Sequence, residues 1–174
     1  MNKVYGTKPY YSLVRQDGSR TIVSFGLILE SDCEHYTWYE CYWYKKQHPI
    51  VTIKDVKDAI IDGINQEAKT NIVKNFYYKG KHIWLNEINQ FNYKAAYDLT
   101  LDLGGTNLPY SVKTGEEDNS EYIEIETIKQ FEDFYFSMIN HIQTYQKEAW
   151  KKKDSIDWAV YEKELNRLYD TRRT

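Results

Sequence analysis

Residues 76–115, FYYKGKHIWLNEINQFNYKAAYDLTLDLGGTNLPYSVKTG, constrain the fold more than any other part of the chain. Lys79-Gly80 predicts a tight hairpin turn, because glycine accepts the positive backbone angles that such turns need. Asn86 predicts the start of a helix as its N-cap, and Gly104-Gly105 predicts the end of that helix in a left-handed conformation. A hairpin, a capped helix and a further strand from Leu108 therefore follow one another, which indicates an α+β fold.

The first 48 residues predict a separate N-terminal antiparallel β-meander, a candidate for docking or oligomerisation. Asp17-Gly18 is a hairpin-turn sequence between strands predicted at 10–15 and 20–30. The second strand alternates, and one of its faces takes the odd-numbered positions. We expect the following residues on that face: Thr21, Val23, Phe25, Leu27 and Leu29.

The third predicted strand, residues 37–44 (TWYECYWY), is aromatic on both faces. Alternation places Tyr39, Cys41 and Trp43 on one face, which we assign to the core. The other face carries Trp38, Glu40, Tyr42 and Tyr44. Two interpretations of that face are open: a helix covers it, or it docks another chain or a sugar. On the second interpretation the candidate partner-binding surface is Trp38, Tyr42 and Tyr44.

Residues 49–170 predict an α+β domain in which two hairpins pack against three or four helices. Thr52 and Asp55 form a capping pattern at the start of the first helix. The helix capped by Asn86 has an apolar stripe at helical spacing, which we expect to face the core: Ile88, Phe91, Ala95, Leu99 and Leu103. A second hairpin, a long helix from Thr127 and a final helix at 155–169 follow. Whether the hairpins join the sheet of the meander is left open.

Composition and charge exclude several classes of protein. The formal charge of −3 gives no field that would gather nucleic acid. No apolar stretch approaches the roughly 20 residues of a membrane span, and the first residues lack the apolar core of a signal peptide. With two cysteines in the chain we expect no disulfide framework, and synthesis in a reducing cytoplasm.

The sequence predicts no catalytic, cofactor-binding or metal-binding site. Cys33, His35, Cys41 and His48 are zinc-ligand types, but their spacing matches no standard zinc pattern. No serine lies in a nucleophile elbow, and neither cysteine has the context of a nucleophile. Gly104-Gly105 follows a helix instead of preceding one, which is the wrong position for a phosphate-binding loop. We therefore predict a protein that is not an enzyme.

Five segments resemble a recurrent family of phage and prophage proteins from gut Bacteroidales. They are TWYECYWYKK, VKDAIIDGIN, IWLNEINQFNYKAAYDL, LPYSVKTGE and KKKDSIDWAVYE. The order of elements also resembles a small domain of unknown function that occurs in phage tail-fibre and other virion-associated proteins. The resemblance covers about two thirds of the chain, and NEINQFNYKAAYDL is its most specific piece.

The resemblance implies a virion component and supplies no catalytic motif. The function expected from it is a structural subunit of the tail or portal region, or a fibre adaptor, that acts through assembly with other virion proteins and copies of itself. The alternative is a module that binds a glycan or a host protein through exposed aromatic residues. The expected location is the virion, after synthesis in the cytoplasm of the bacterial host.

Overall fold

The structure is a computed structural model that describes residues 2–9, 13–17, 20–31, 34–44, 51–115 and 121–170. The elements of this part of the chain are, in order, β1 (Asn2–Gly6), β2 (Val14–Asp17), β3 (Arg20–Leu29), β4 (Tyr36–Tyr44), α1 (Ile53–Lys74), β5 (Tyr77–Tyr78), β6 (Lys81–His82), α2 (Glu87–Asp102), β7 (Tyr110–Thr114), β8 (Glu121–Ile125), α3 (Ile128–Asp154) and α4 (Trp158–Asp170). The predicted α+β class, with an N-terminal meander, is confirmed. The described strands form three separate sheets, because β5-β6 and β7-β8 are each two-stranded and β1 to β4 form the third.

The chain divides into two compact units. Unit 1 is Met1–Glu67 together with Lys151–Thr174, and unit 2 is Ala68–Trp150. This division differs from the predicted boundary at residue 48, because segments distant in sequence complete unit 1. Tyr161 of α4 donates its hydroxyl hydrogen bond to the backbone oxygen of Ser24 in β3, at 3.1 Å. Local sequence patterns do not report such a contact.

Unit 1 contains a four-stranded antiparallel sheet of order β1-β4-β3-β2. Its buried side chains come from the sheet and from α1 and α4; among them are Val14, Val23, Phe25, Cys41, Val56, Ile60, Ile64, Tyr161 and Leu165. The predicted capping pattern starts α1: the amide of Asp55 donates to Thr52 Oγ1, and the amide of Thr52 donates to Asp55 Oδ2 at 2.7 Å. These two bonds satisfy amides that the first turn of a helix leaves without partners.

A β-bulge interrupts β3 at Gly26. Phe25 pairs with Tyr39 and Ile28 pairs with Thr37, so that two residues of β3 stand opposite one residue of β4. Gly26 has a φ of 66°, in the left-handed region that favours glycine. The extra residue shifts the alternation, and Leu27 is 40% exposed. The prediction that Leu27 lies on the same face as Phe25 is therefore wrong.

Unit 2 has its own core between two hairpins, α2 and α3. The Lys79-Gly80 turn of the first hairpin has φ values of 50° and 75°, as predicted for a tight turn. The core cluster is Phe76, Tyr78, Ile83, Leu85, Tyr93, Val112, Ile123, Ile125, Phe131, Phe134 and Met138. Phe134 lies among the rings, with Tyr78 and Tyr93 packed edge-on at 5.2 and 5.1 Å between centroids. Aromatic packing thus supplies much of this core.

Candidate functional site

Trp38, the central member of the predicted docking surface, is buried. Its indole is 8% exposed, and its Nε1–H donates to Glu40 Oε1 at 3.0 Å. Arg15 donates to the same carboxylate oxygen at 2.9 Å. A Cβ on Gly6 would lie 2.9 Å from the Trp38 ring, so the indole rests against the backbone of β1. The prediction that Trp38 is an exposed platform is wrong, because its ring packs against β1 and its N–H is bonded to a buried carboxylate.

The other two members of that surface are described only in their backbone. Tyr42 pairs with Ile22, and Tyr44 pairs with Arg20, at the end of β4. Their side chains lie outside what the structure describes. Of the three predicted residues, the structure thus places only the side chain of Trp38, and it is buried.

Helix α2 presents to solvent the apolar stripe that was expected in the core. Ile88 is 70% exposed, Phe91 71%, Leu99 51% and Leu103 45%, and Ala95 is exposed as well. We call these five residues the α2 outer face. The prediction that they form the core stripe of this helix is wrong.

The opposite face of α2 is the one that packs in the core. Tyr93 is 7% exposed and lies edge-on to Phe134, while Tyr97 is half-buried and lies 5.6 Å from the ring of Phe131. Burial raises the pKa of Tyr93 to about 12. Thr100 is fully buried; its hydroxyl donates to the backbone oxygen of Ala96 and accepts a hydrogen bond from the Asn107 side chain. The helix therefore has two apolar faces, and the buried one is the face that carries Tyr93 and Tyr97.

The first hairpin of unit 2 carries a row of aromatic rings. Tyr77 and His82 are cross-strand partners whose ring centroids lie 5.2 Å apart, and the rings of His82 and Trp84 lie 6.1 Å apart. Tyr77 is 62% exposed and Trp84 is 45% exposed. Exposed rings arranged in a row are a surface on which the apolar face of a sugar ring or an aromatic side chain can stack. We call Tyr77, His82 and Trp84 the aromatic row.

Unit 1 has a cavity of about 380 Å³ between the sheet, α1 and the segment around α4. Its walls are mainly apolar and include Phe25, Tyr39, Ile64, Ile156, Val160 and Tyr161. Lys152 borders it, and its ammonium contacts Glu67 Oε2 at 2.6 Å and lies over the ring of Tyr39. Tyr39 also donates to Glu67 Oε1, at 3.1 Å.

Two charged side chains border this cavity, Lys152 and Asp157, and Lys152 has a raised pKa. Burial acts to lower the pKa of Lys152, but the hydrogen bond and charge of Glu67 outweigh it, so that the pKa lies above its ordinary value. Lys152 is therefore a cation at neutral pH and has no lone pair with which to attack a substrate. The cluster of Lys152, Glu67 and Tyr39 ties the sheet to two helices.

The cysteine and histidine side chains have structural surroundings. Burial raises the pKa of the Cys41 thiol to about 11, so that at neutral pH it is protonated and a poor nucleophile. His82 donates a ring hydrogen bond to the backbone oxygen of Lys74 at 2.7 Å, and His141 does so to that of Ile72 at 3.1 Å. Cys33 and His48 lie outside the described residues.

The structure places no three His, Cys, Asp or Glu side chains of the part of the chain that it describes together as a metal site. Among the helices that it describes, none has the length and apolar character of a membrane span.

Comparisons with known proteins supply no relative. Neither the protein-family models, nor the curated proteins, nor the solved structures gave a significant match to the chain.

Proposed function

We propose that the chain is a non-enzymatic structural protein of a bacteriophage particle, a tail, portal-region or fibre-adaptor subunit that acts through protein–protein assembly. The α2 outer face is the observation that carries the assembly part of this proposal. Its helix already buries one face in the core of unit 2, and the second apolar face is exposed. A contiguous exposed apolar patch is typical of a surface that binds another protein.

The surroundings of the ionisable groups support a role without catalysis. The rings of His82 and His141 donate to backbone oxygens, and the ammonium of Lys152 is matched by Glu67. General acid–base catalysis needs a titratable group within hydrogen-bond reach of a substrate and a pKa near the working pH. The raised pKa values of Cys41 and Lys152 move both groups away from that condition.

The virion part of the proposal rests on the sequence resemblance to phage and prophage proteins. Mass spectrometry of purified particles from a strain that carries the encoding phage tests it directly. We expect the chain at a fixed ratio to the other structural proteins of the particle. Its absence from particles in which those proteins are detected would contradict the proposal.

A matched pair of variants tests whether the α2 outer face is the assembly surface. Leu99 and Phe136 are apolar residues of helices in unit 2 with nearly equal exposure, 51% and 52%. We expect Leu99→Lys to reduce incorporation into particles, because a charge on the contact must be desolvated, and Phe136→Lys to leave incorporation unchanged. Equal incorporation of both variants would contradict the assignment of the α2 outer face as the assembly surface.

The aromatic row favours a second candidate function, a module that binds a glycan or a host protein. Trp38 is buried, so the stacking residues of this candidate are Tyr77, His82 and Trp84 in place of the strand β4 residues. A glycan array with the wild-type chain, Trp84→Ala and Trp150→Ala tests it. Trp150 is 56% exposed and is the matched control. Binding that Trp84→Ala abolishes and Trp150→Ala retains would support this function, and binding to no surface polysaccharide would count against it.

A further inference from the structure

The spacing of the α2 outer face suits a contact with an identical helix. Phe91, Ala95, Leu99 and Leu103 follow one another at intervals of four, which makes them a single ridge on the helix surface. Two helices whose ridges of this kind interdigitate cross at about −50°, the commonest packing class in globular proteins. A ridge of this geometry can therefore pack against the same ridge of a second copy of the chain.

On this ridge Phe91 lies four residues before Ala95 and Leu99 lies four residues after it. A two-fold axis at Ala95 sets Phe91 of one copy beside Leu99 of the other, and Leu99 of the first beside Phe91 of the second. The small Ala95 side chains meet at the crossing point, where the two backbones come closest. Large side chains then flank a small one on both sides, which is the self-complementary pattern that a two-fold interface needs.

Two ion pairs lie beside the α2 outer face. Lys94 forms an ion pair with Asp98 one turn away, and Lys69 pairs with Glu87 at 2.7 Å. The pKa of Glu87 is lowered by this hydrogen bond and charge of Lys69. A second copy would meet these pairs beside the contact, and opposite charges held together repel an identical surface less than a row of like charges does. Asp102, at the C-terminal end of the helix, is exposed as well.

The exposed area agrees with a weak self-association. Four side chains of the face, with exposed fractions from 45% to 71%, present on the order of 400 Å² of apolar surface, which is within the range of the largest patches on monomers. With the flanking side chains, two copies would bury about 1,000 Å² in total, near the lower limit of specific interfaces. Contacts at the low end of the size range are typical of weak, transient complexes, and we expect a dissociation constant in the micromolar range.

We propose that the α2 outer face binds the α2 outer face of a second copy of the chain in a two-fold dimer crossed at Ala95. The proposal rests on the proposed function, in that it names the partner for which the assembly surface is built. Both copies contribute the same surface, so this contact is closed at two copies, and the dimer would enter the particle as a unit.

Sedimentation equilibrium of the full chain, from about 1 µM to about 500 µM, tests the proposal, because this range brackets the expected dissociation constant. We expect a monomer–dimer equilibrium in the wild type, a dissociation constant raised by about 100-fold or more in Leu99→Lys, and one within about 2-fold of wild type in Phe136→Lys. Equal dissociation constants for the two variants, or a wild type that is monomeric throughout, would overturn it.

Ala95→Leu distinguishes specific packing from non-specific hydrophobic association. It adds apolar surface but fills the crossing point, so we expect it to weaken the dimer. Non-specific association would become stronger with the added apolar surface. A stronger dimer in Ala95→Leu would contradict the crossing at Ala95. Failure here is distinguishable from failure of the proposed function. A monomeric wild type whose Leu99→Lys variant still loses incorporation into particles would overturn the second-copy proposal alone.

Discussion

The orientation of α2 can be tested by replacing one residue on each of its faces with alanine. Tyr93 is 7% exposed and packs on Phe134, whereas Phe91, two positions earlier, is 71% exposed. Burial of an aromatic ring removes about 150 Å² of surface from water, which at about 25 cal/mol per Å² amounts to about 4 kcal/mol. Tyr93→Ala should therefore lower the free energy of unfolding by about 3–5 kcal/mol, as for other large-to-small changes in cores.

Phe91→Ala should change the same quantity by less than about 1 kcal/mol, because most of its side chain is already in water. The measurement is urea unfolding followed by far-UV circular dichroism at about 1 µM, a concentration below the expected association range. Low concentration matters because a dimer that forms only from folded chains adds to apparent stability by mass action. A larger loss in Phe91→Ala than in Tyr93→Ala would show that the apolar stripe is the core face and would refute the orientation described above.

Three further predictions concern unit 1. Glu40→Ala should lower the free energy of unfolding by about 2–4 kcal/mol, because it removes the buried carboxylate that accepts from the indole N–H of Trp38 and pairs with Arg15. Unchanged stability would mean that this network contributes nothing. Gly26→Ala should cost about 1–2 kcal/mol, since alanine at a φ of 66° is strained, and a stabilised variant would contradict the bulge. In a Cys33→Ser background, Ellman's reagent should react with Cys41 at pH 8 at least about 100-fold more slowly in the folded than in the urea-unfolded chain. The folded thiol keeps its proton to about pH 11 and the unfolded thiol to about pH 9, so its contribution to stability is complete below pH 9 and is lost as the pH rises to 11.

Features that depend on neighbouring residues could be predicted from the sequence. The capping bonds of Thr52 and Asp55 involve residues three apart, and Asn86 Oδ1 accepts from the amide of Asn89 as an N-cap does. The tight turn at Lys79-Gly80 is equally local. In each case side-chain chemistry acts on the adjacent backbone, so that the pattern alone is sufficient.

Features that depend on which face meets which partner could not be predicted in this way. Apolar periodicity favoured the Ile88 and Phe91 face of α2, but the core of unit 2 is built from rings and takes the tyrosine face instead. A tyrosine ring buries a large apolar surface despite its hydroxyl, and a stripe that leaves out tyrosine misses it. The burial of Trp38 depends on Arg15 and Glu40, which lie 25 residues apart.

The order of residues in unit 1 has a consequence for synthesis on the ribosome. Unit 2 is one continuous segment, whereas unit 1 combines Met1–Glu67 with Lys151–Thr174. The hydrogen bonds from Tyr161 to Ser24 and from Lys152 to Glu67 span 137 and 85 residues. The four described strands of unit 1 are therefore synthesised first, but their contacts with the segment after residue 150 form only once that segment has emerged. Unit 2, which needs no such partner, can reach its native packing while the earlier sheet is still incomplete.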